Sequence, residues 1–481
     1  MRKLLSKIKG HFRKPELEFN QPLTSADVVR MVKTKQFNGL KKLMPQFNWG
    51  GKRLSRSKSA LAILGFVVGI GLFSLTGNPL PLFLSILSIG YGSEYVFNAA
   101  NTLEISASSL DSTHFVVVYK DDGGADYGCA KVGTISGTTI SFGSEYIFNS
   151  ANTVNISVSA INSTHFVVAY KDYGGDGYGH CKFGTVSSVD EIAYGAEATF
   201  NSADSYTMST DSLDSTHFVV AGGNSSYGTA YVGTISGTSI TFGSEYTFNS
   251  AITINISISS IDATHFVVAY KDYGGDGYGH CKVGTVSSVN QIAYGSEYPF
   301  NSASTSYISV SSLDSTHFVV AYRDGGDSNY GKAIVGTVSS VNEIAYGNEY
   351  PFNSASTNYL SVSSLDSTHF VVAYRDGGDS NYGKAIVGTV SSVNEIAYGS
   401  DTEFNAGSTY YSSITALDAT HFVVAYKDTG NLNKGTAIHG TYTSPVVGPA
   451  NVKSWNGVAI ANIKSINGVA IASVKSVNGV E

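Results

Sequence analysis

The sequence predicts an all-β fold of seven consecutive four-stranded units, and three observations carry that prediction. The string Thr-His-Phe recurs with its histidine at 114, 165, 217, 265, 317, 369 and 421, at spacings of 51, 52, 48, 52, 52 and 52 residues. Such a period belongs to a supersecondary unit rather than to a whole domain. Composition agrees, because the 481 residues include 52 glycines and 31 tyrosines but only 14% charged side chains. That mixture suits short strands joined by tight turns. Third, a fourth-strand sequence stands before the first unit and none follows the last, so the two ends of the array complete each other.

The elements follow in chain order. Residues 1–58 hold 15 of the 30 Lys and Arg against three acids, Glu16, Glu18 and Asp27, for a net charge of +12. The remainder carries 15 basic and 34 acidic side chains, a net −19, which excludes a nucleic-acid surface on the large domain. Met1–Lys9 and Ser25–Lys33 mix basic and apolar residues, as short helices on an anionic membrane surface do, or as a solvated basic tail does. From Ser59 to Ser93 there is no charged side chain over 35 residues. Ala60–Leu75 is strongly apolar, Thr76-Gly77-Asn78-Pro79 interrupts it, and a second apolar stretch runs from Leu80 to Ile89. A spanning helix needs about 20 apolar residues. Basic flanks on its near side favour a signal-anchor over residues 59–89, with residues 1–58 as a cytoplasmic tail and the large domain outside. A cleaved secretion signal, a hairpin turning at Gly77-Asn78-Pro79 and a buried tether in a virion are the alternatives.

Residues 90–443 hold the repeats. In the fifth copy, Ser306–Ser312, Thr316–Tyr322, Gly331–Val338 and Ile344–Phe352 read as four alternating strands separated by turn residues. Residues 291–342 and 343–394 differ at only four positions, so one duplication is recent. Four strands per unit of this length is the signature of a propeller blade. Tyr91–Phe97 has fourth-strand character with no preceding unit, and nothing of that kind follows Tyr442. The expectation is therefore a seven-bladed β-propeller whose last blade is completed by the N-terminal strand, leaving no blade without an outer edge. Over residues 90–443 the chain resembles β-propeller repeat proteins in general. It has no Trp-Asp dipeptide, kelch-like pairing or Asp-box that would select one repeat family.

The tail, 444–481, differs. Lys453-Ser-Trp-Asn-Gly-Val-Ala-Ile460, Lys464-Ser-Ile-Asn-Gly-Val-Ala-Ile471 and Lys475-Ser-Val-Asn-Gly-Val480 repeat every 11 residues. Asn-Gly between apolar residues signals two-residue hairpins, forming a small meander or strands that pair between chains. These repeats resemble terminal repeats of some phage and bacterial surface proteins.

Candidate chemistry lies in the loops. The seven Thr-His-Phe histidines recur in every unit, which fits a turn-closing role and not catalysis. Cys129, Cys181 and Cys281 fall at nearly equivalent places in different units, so they read as buried small apolar residues rather than a disulfide set. The loop after each second strand is rich in glycine and acids: Asp121 and Asp126, Asp172 and Asp176, Asp272 and Asp276, Asp324 and Asp327, Asp376 and Asp379, and Asp428. The third copy has Ala221-Gly-Gly-Asn-Ser-Ser226 there and no acid. These loops should share a rim with the Phe-Asn segments at Asn149, Asn249, Asn301 and Asn353. Their oxygens could hold Ca²⁺, although turn chemistry alone also explains them. Beside them Tyr173, Tyr178, Tyr273, Tyr278, Tyr330 and Tyr382 could stack on sugar rings. With Asp176, Asp276, Asp327 and Asp379 they form the candidate ligand-binding set. His180 and His280 occur in two copies only and lack further ligands at metal spacing in the sequence. No G-x-S-x-G, P-loop or H-E-x-x-H occurs. The expected function is a membrane-anchored, surface-displayed recognition module for a glycan or a surface protein, on a cell or a virion, and not an enzyme. A polysaccharide hydrolase or lyase using carboxylates of different blades is one alternative, and a structural platform is another.

Overall fold

The computed structural model describes residues 88–187, 190–202 and 206–443, together with four two-residue strands between 454 and 470. The expected cytoplasmic tail and residues 59–87 of the expected membrane segment lie outside the described residues. Among the described residues no helix is long and apolar enough to cross a membrane. Ser88 and Ile89, placed at the end of that segment by the sequence reading, belong instead to the first strand.

One compact unit spans Leu87–Ser444. It repeats a four-stranded antiparallel blade, best followed in the fifth copy. Thr305–Ser312 pairs with His317–Asp324, which pairs with Tyr330–Val338. The fourth strand comes in two pieces, Ile344–Tyr346 and Tyr350–Asn353, both paired with the third. Pro351 is tolerated because this strand is the edge of its sheet. The second strand is the centre of the blade, and Phe318 through Tyr322 are fully buried. One of its faces packs on the preceding blade, where Phe318, Val320 and Tyr322 meet Val267 and Ala269. Its other face meets the next blade through Val319 and Ala321 against Phe370, Val372 and Tyr374. Two covered faces explain why this strand reads as an unbroken apolar run. Gly336 lies under the Phe318 ring, which a Cβ there would meet at 2.2 Å.

The break in the fourth strand has a cause in the core. Tyr322 is buried, and its hydroxyl donates to Glu349 Oε1 at 2.5 Å from the segment between the two strand pieces. A buried phenol requires such a partner. Tyr119 and Tyr270 do the same with Glu145 and Glu297. In the third blade Gly222 stands where the tyrosine should be, and Tyr231 of the adjacent strand bonds Glu245 instead.

The N-terminal strand Ser88–Ser109 serves two blades. Its first part pairs antiparallel with Lys434–Thr443, with Tyr91 opposite Gly440 and Val96 opposite Thr436. Its second part pairs with His114–Asp121 as the first strand of the first blade. Glu94 accepts from Tyr426 at 2.7 Å, the role that Glu349 plays within the fifth blade.

First strands are tied to one another by serine hydroxyls. Val310 N–H donates to Ser257 Oγ (3.1 Å) and Ser312 N–H to Ser259 Oγ (3.0 Å). The same pair of bonds recurs at each junction, from Val158 and Ala160 of the second blade to Ile414 and Ala416 of the seventh. Ala107 and Ser109 of the first blade then donate to Ser413 Oγ (3.0 Å) and Thr415 Oγ1 (2.9 Å) of the seventh. One member departs from the pattern, for Asp211 takes a serine place and accepts Ser260 N–H at 2.8 Å. Burial raises its carboxyl above the ordinary range despite the bonds from Ser260, Ser159 and Ser212.

The Thr-His-Phe histidines close turns. Asp314 Oδ1 accepts the amides of Thr316 and His317, and the His317 ring lies against the same carboxylate. Asn162 replaces the aspartate in the second copy and still accepts the Thr164 amide. The three cysteines are free and buried. In the tail, Trp455 pairs opposite Val458 and Ile466 opposite Val469.

Candidate functional site: the loop-bearing rim

In six blades the rim loop begins at the aspartate ending the second strand, and a fourth strand meets it there. Asn149 Nδ2 donates to Asp172 Oδ1 (3.1 Å) and to buried Thr153 Oγ1 (3.1 Å). Asn249, Asn301 and Asn353 repeat this with Asp272, Asp324 and Asp376. Asn98 and Asn405 do so with Asp121 and Asp428. The two groups of loops therefore share a rim, and the first acid of each loop is largely spent on architecture.

The second acids are paired as well. Asp176 accepts from the Tyr178 amide (2.9 Å) and contacts His180 Nε2 (2.9 Å). Desolvation works upward, but the His180 bond and that amide together hold the Asp176 carboxyl below the ordinary range. Asp276 does the same with Tyr278 and His280. Asp327 and Asp379 pair with Lys332 (3.1 Å) and Lys384 (2.8 Å). In these two blades the ammonium takes the place among the loop oxygens that calcium would need. Tyr173 and Tyr273 stand out from the rim, 62% and 60% exposed, beneath which lie Lys171 and Lys271. Tyr178 is exposed, while Tyr278, Tyr330 and Tyr382 are half-buried. Each tyrosine–aspartate pair stays within its own blade.

The rim also holds a ring that the sequence reading did not single out. Every first strand bulges between its two ends, and the bulged residue has positive φ although it is not glycine. These residues are Glu104, Asn155, Thr207, Asn255, Tyr307, Tyr359 and Tyr411, with φ from 38° to 54°. Side chains in this conformation cost backbone energy and gather at functional sites. Neighbours in the ring touch: Asn155 N–H donates to Glu104 Oε2 (3.1 Å), and Tyr307 N–H to Asn255 Oδ1 (3.1 Å). The Tyr307 and Tyr359 rings lie 5.3 Å apart, and Tyr359 and Tyr411 5.4 Å. The sequence does not mark it, because the residue before it varies just as much, from Leu103 and Val154 to Ser306 and Tyr410.

A row of cations accompanies the ring, since Lys or Arg precedes the loop aspartate in six blades. Arg375 lies over Tyr359 (5.5 Å) and Tyr410 (4.4 Å), and Arg323 over Tyr307 (5.8 Å). Lys120 pairs with Asp126 at 3.2 Å. Among the described residues, Lys271, Arg323, Arg375 and Lys427 make no ion pair with a carboxylate. Burial lowers the pKa of Lys271 and of Lys427. Burial raises that of Glu104, against the Asn155 amide and Lys120, which lower it. Tyr411 is pushed up to about 12 by burial first and then by the Glu104 charge. One edge of the ring thus combines aromatic faces and cations outside ion pairs with the Glu104 carboxyl and, near Lys427, that of Asp122.

No protein-family model matches this chain, and no curated protein does. Solved structures similar to it include the following two. A protein of unknown function from Dyadobacter fermentans shares 10% identity at a TM-score of 0.46, over 74% of this chain and 99% of that one. A point mutant of NanB sialidase from Streptococcus pneumoniae shares 10% identity at a TM-score of 0.40, over 82% of this chain and 73% of that one.

Proposed function

We propose that residues 88–443 form a closed seven-bladed propeller that recognises a carboxylate-bearing glycan on its loop-bearing rim. The observation that carries this reading is the group Arg323, Arg375 and Lys427, three cations without carboxylate partners set against Tyr307, Tyr359 and Tyr410 in a domain of strongly negative net charge. Cations left unpaired among acids favour an anionic group, and tyrosine faces favour a sugar ring. Exposed Tyr173 and Tyr273 add secondary contacts on other blades, so binding rises with multivalency. The apolar segment 59–87 anchors the ring to a membrane, with the rim displayed outside a cell or a virion.

Glu104 supports a second reading as a hydrolase, because a half-buried carboxyl with a raised pKa beside a phenol suits acid catalysis. One experiment separates the two. The full chain is applied to a glycan panel with released sugars assayed, alongside Arg375→Gln/Lys427→Gln and Glu104→Gln. Recognition predicts binding of acidic glycans that weakens with salt and falls about tenfold or more in the first variant, at about 1.4 kcal/mol per decade. Equal binding of neutral and acidic glycans, or unchanged binding in that variant, refutes the acidic-ligand reading. Sugar release abolished by Glu104→Gln establishes the hydrolase.

A further inference from the structure

The loop and third strand of the second blade bring together residues that are four and eight apart in sequence. Asp172, Asp176 and His180 each aim one ligand atom into a space where all three lie within 4.8 Å of one another. Asp272, Asp276 and His280 repeat this in the fourth blade. Asp172 spends Oδ1 on Asn149 and the Gly175 amide, which leaves Oδ2. His180 is 3% exposed, with Nε2 toward the acids and Nδ1 3.4 Å from Glu197 Oε1. A carboxylate behind the distal ring nitrogen is the usual second partner of a metal-bound histidine. His280 Nδ1 is buried without a hydrogen bond and 3.2 Å from Glu297 Oε1.

The protein supplies its own comparison. The place that His280 holds opposite Tyr270 is held by Lys332 opposite Tyr322 in the fifth blade. There the ammonium sits 2.7 Å from Asp324, 3.1 Å from Asp327 and 3.4 Å from Glu349. The same three-carboxylate cradle thus carries a built-in cation in one kind of blade and an imidazole in the other. We propose that the histidine blades fill that cradle with a divalent metal ion of the zinc class, bound by Asp172, Asp176 and His180 Nε2, and again by Asp272, Asp276 and His280 Nε2. A buried imidazole nitrogen suits zinc rather than calcium, which takes six to eight oxygens. Donors around a tetrahedral zinc ion stand about 3.4 Å apart, so small side-chain adjustments close the site. Asp176 is 44% exposed, which leaves the fourth position open to water.

The test is a zinc titration of the chelator-stripped full chain by calorimetry at neutral pH. Two equivalents are expected in the unaltered protein, one in His280→Lys, and none in His180→Lys/His280→Lys. Lysine is chosen because two blades already carry it in this cradle, so the variants should fold and melt as before without metal. Zinc should raise the melting temperature of the unaltered protein and not that of the double variant. Asp176→Asn/Asp276→Asn, altered only in exposed loop positions, should lose both equivalents as well. Absence of zinc binding at about a hundredfold excess of metal, or an unchanged stoichiometry in both double variants, overturns the proposal. Calcium binding lost in these variants, without zinc binding, overturns the assignment to zinc.

Discussion

If the seventh blade is joined to the first as the others are joined to their neighbours, cutting that junction should cost as much as cutting any other. The perturbation is Ser413→Ala with Thr415→Val. It removes the acceptors of the Ala107 and Ser109 amides, at 3.0 and 2.9 Å, and leaves the strand pairings untouched. Thr415 is 8% exposed, and valine keeps its volume there. An amide left without a partner costs about 1–3 kcal/mol when buried. Both amides are part-buried, so about 1 kcal/mol each and about 2 kcal/mol for the pair is the working figure. Ser309→Ala/Ser311→Ala makes the same cut inside the array, where the amides of Val362 and Ser364 lose their acceptors. Urea unfolding of the two variants beside the unaltered chain gives the comparison, and amide exchange at Ala107 and Ser109 localises it. A loss of about 2 kcal/mol in both variants fits a ring. A loss near zero at the closing junction, with the interior cut costing its full amount, would refute closure. An array this long can unfold in stages, so the comparison is made between equivalent cuts and not with an absolute stability.

Two pH predictions follow from single carboxyls. Asp418 is brought down to about 2 by the Thr420 amide and the His421 contact, although desolvation works upward. A depressed folded value stabilises above the ordinary 3.8 and is lost as pH falls toward 2. Asp418→Asn should therefore flatten the fall in melting temperature over that window, keeping the turn as Asn162 does; an unchanged slope counts against it. Asp211 is the reverse, since burial raises its value, and its effect on stability worsens as pH rises through the folded pKa. Asp211→Ser, which restores the residue of the neighbouring blades, should raise the melting temperature at neutral pH and not in acid. A variant less stable at neutral pH would mean that the three bonds Asp211 accepts outweigh its desolvation.

Much of this fold is legible because each blade repeats the same local chemistry. Thr-His-Phe marks the start of every second strand, since the Asp-x-Thr-His turn must form before that strand can enter the core. Tyr91-Gly-Ser-Glu94 is readable as a displaced fourth strand because Glu94 is needed by Tyr426, as Glu145, Glu297 and Glu349 are by the tyrosines of their blades. The bulges were not legible. Nothing in an alternating strand announces that Glu104 or Tyr307 will take positive φ, and glycine, the usual marker, is absent there. The grouping of Asp172, Asp176 and His180 is hidden in the sequence for a different reason. Its ligands have no metal-type spacing along the chain, and only the pairing of second and third strands folds the loop acids back over His180.

The two kinds of site place opposite demands on a repeated blade. An anchoring contact improves when every blade carries it, which is why the asparagine–aspartate bracket appears in six of the seven. In a closed propeller a binding centre on the axis would be seen by all blades at once, so identical residues there would present a ligand with a featureless ring. Specificity at such a centre would require the blades to differ there. The blades do differ at the bulge, where glutamate, asparagine, threonine and tyrosine succeed one another. The fifth and sixth blades, nearly identical in sequence, both present tyrosine and arginine to the same edge. Duplication there enlarges the aromatic and cationic arc without disturbing the acid on the first blade. A ligand that bridges this arc and Glu104 would therefore engage unlike blades together, something that equivalent rim loops, each closed within its own blade, cannot do.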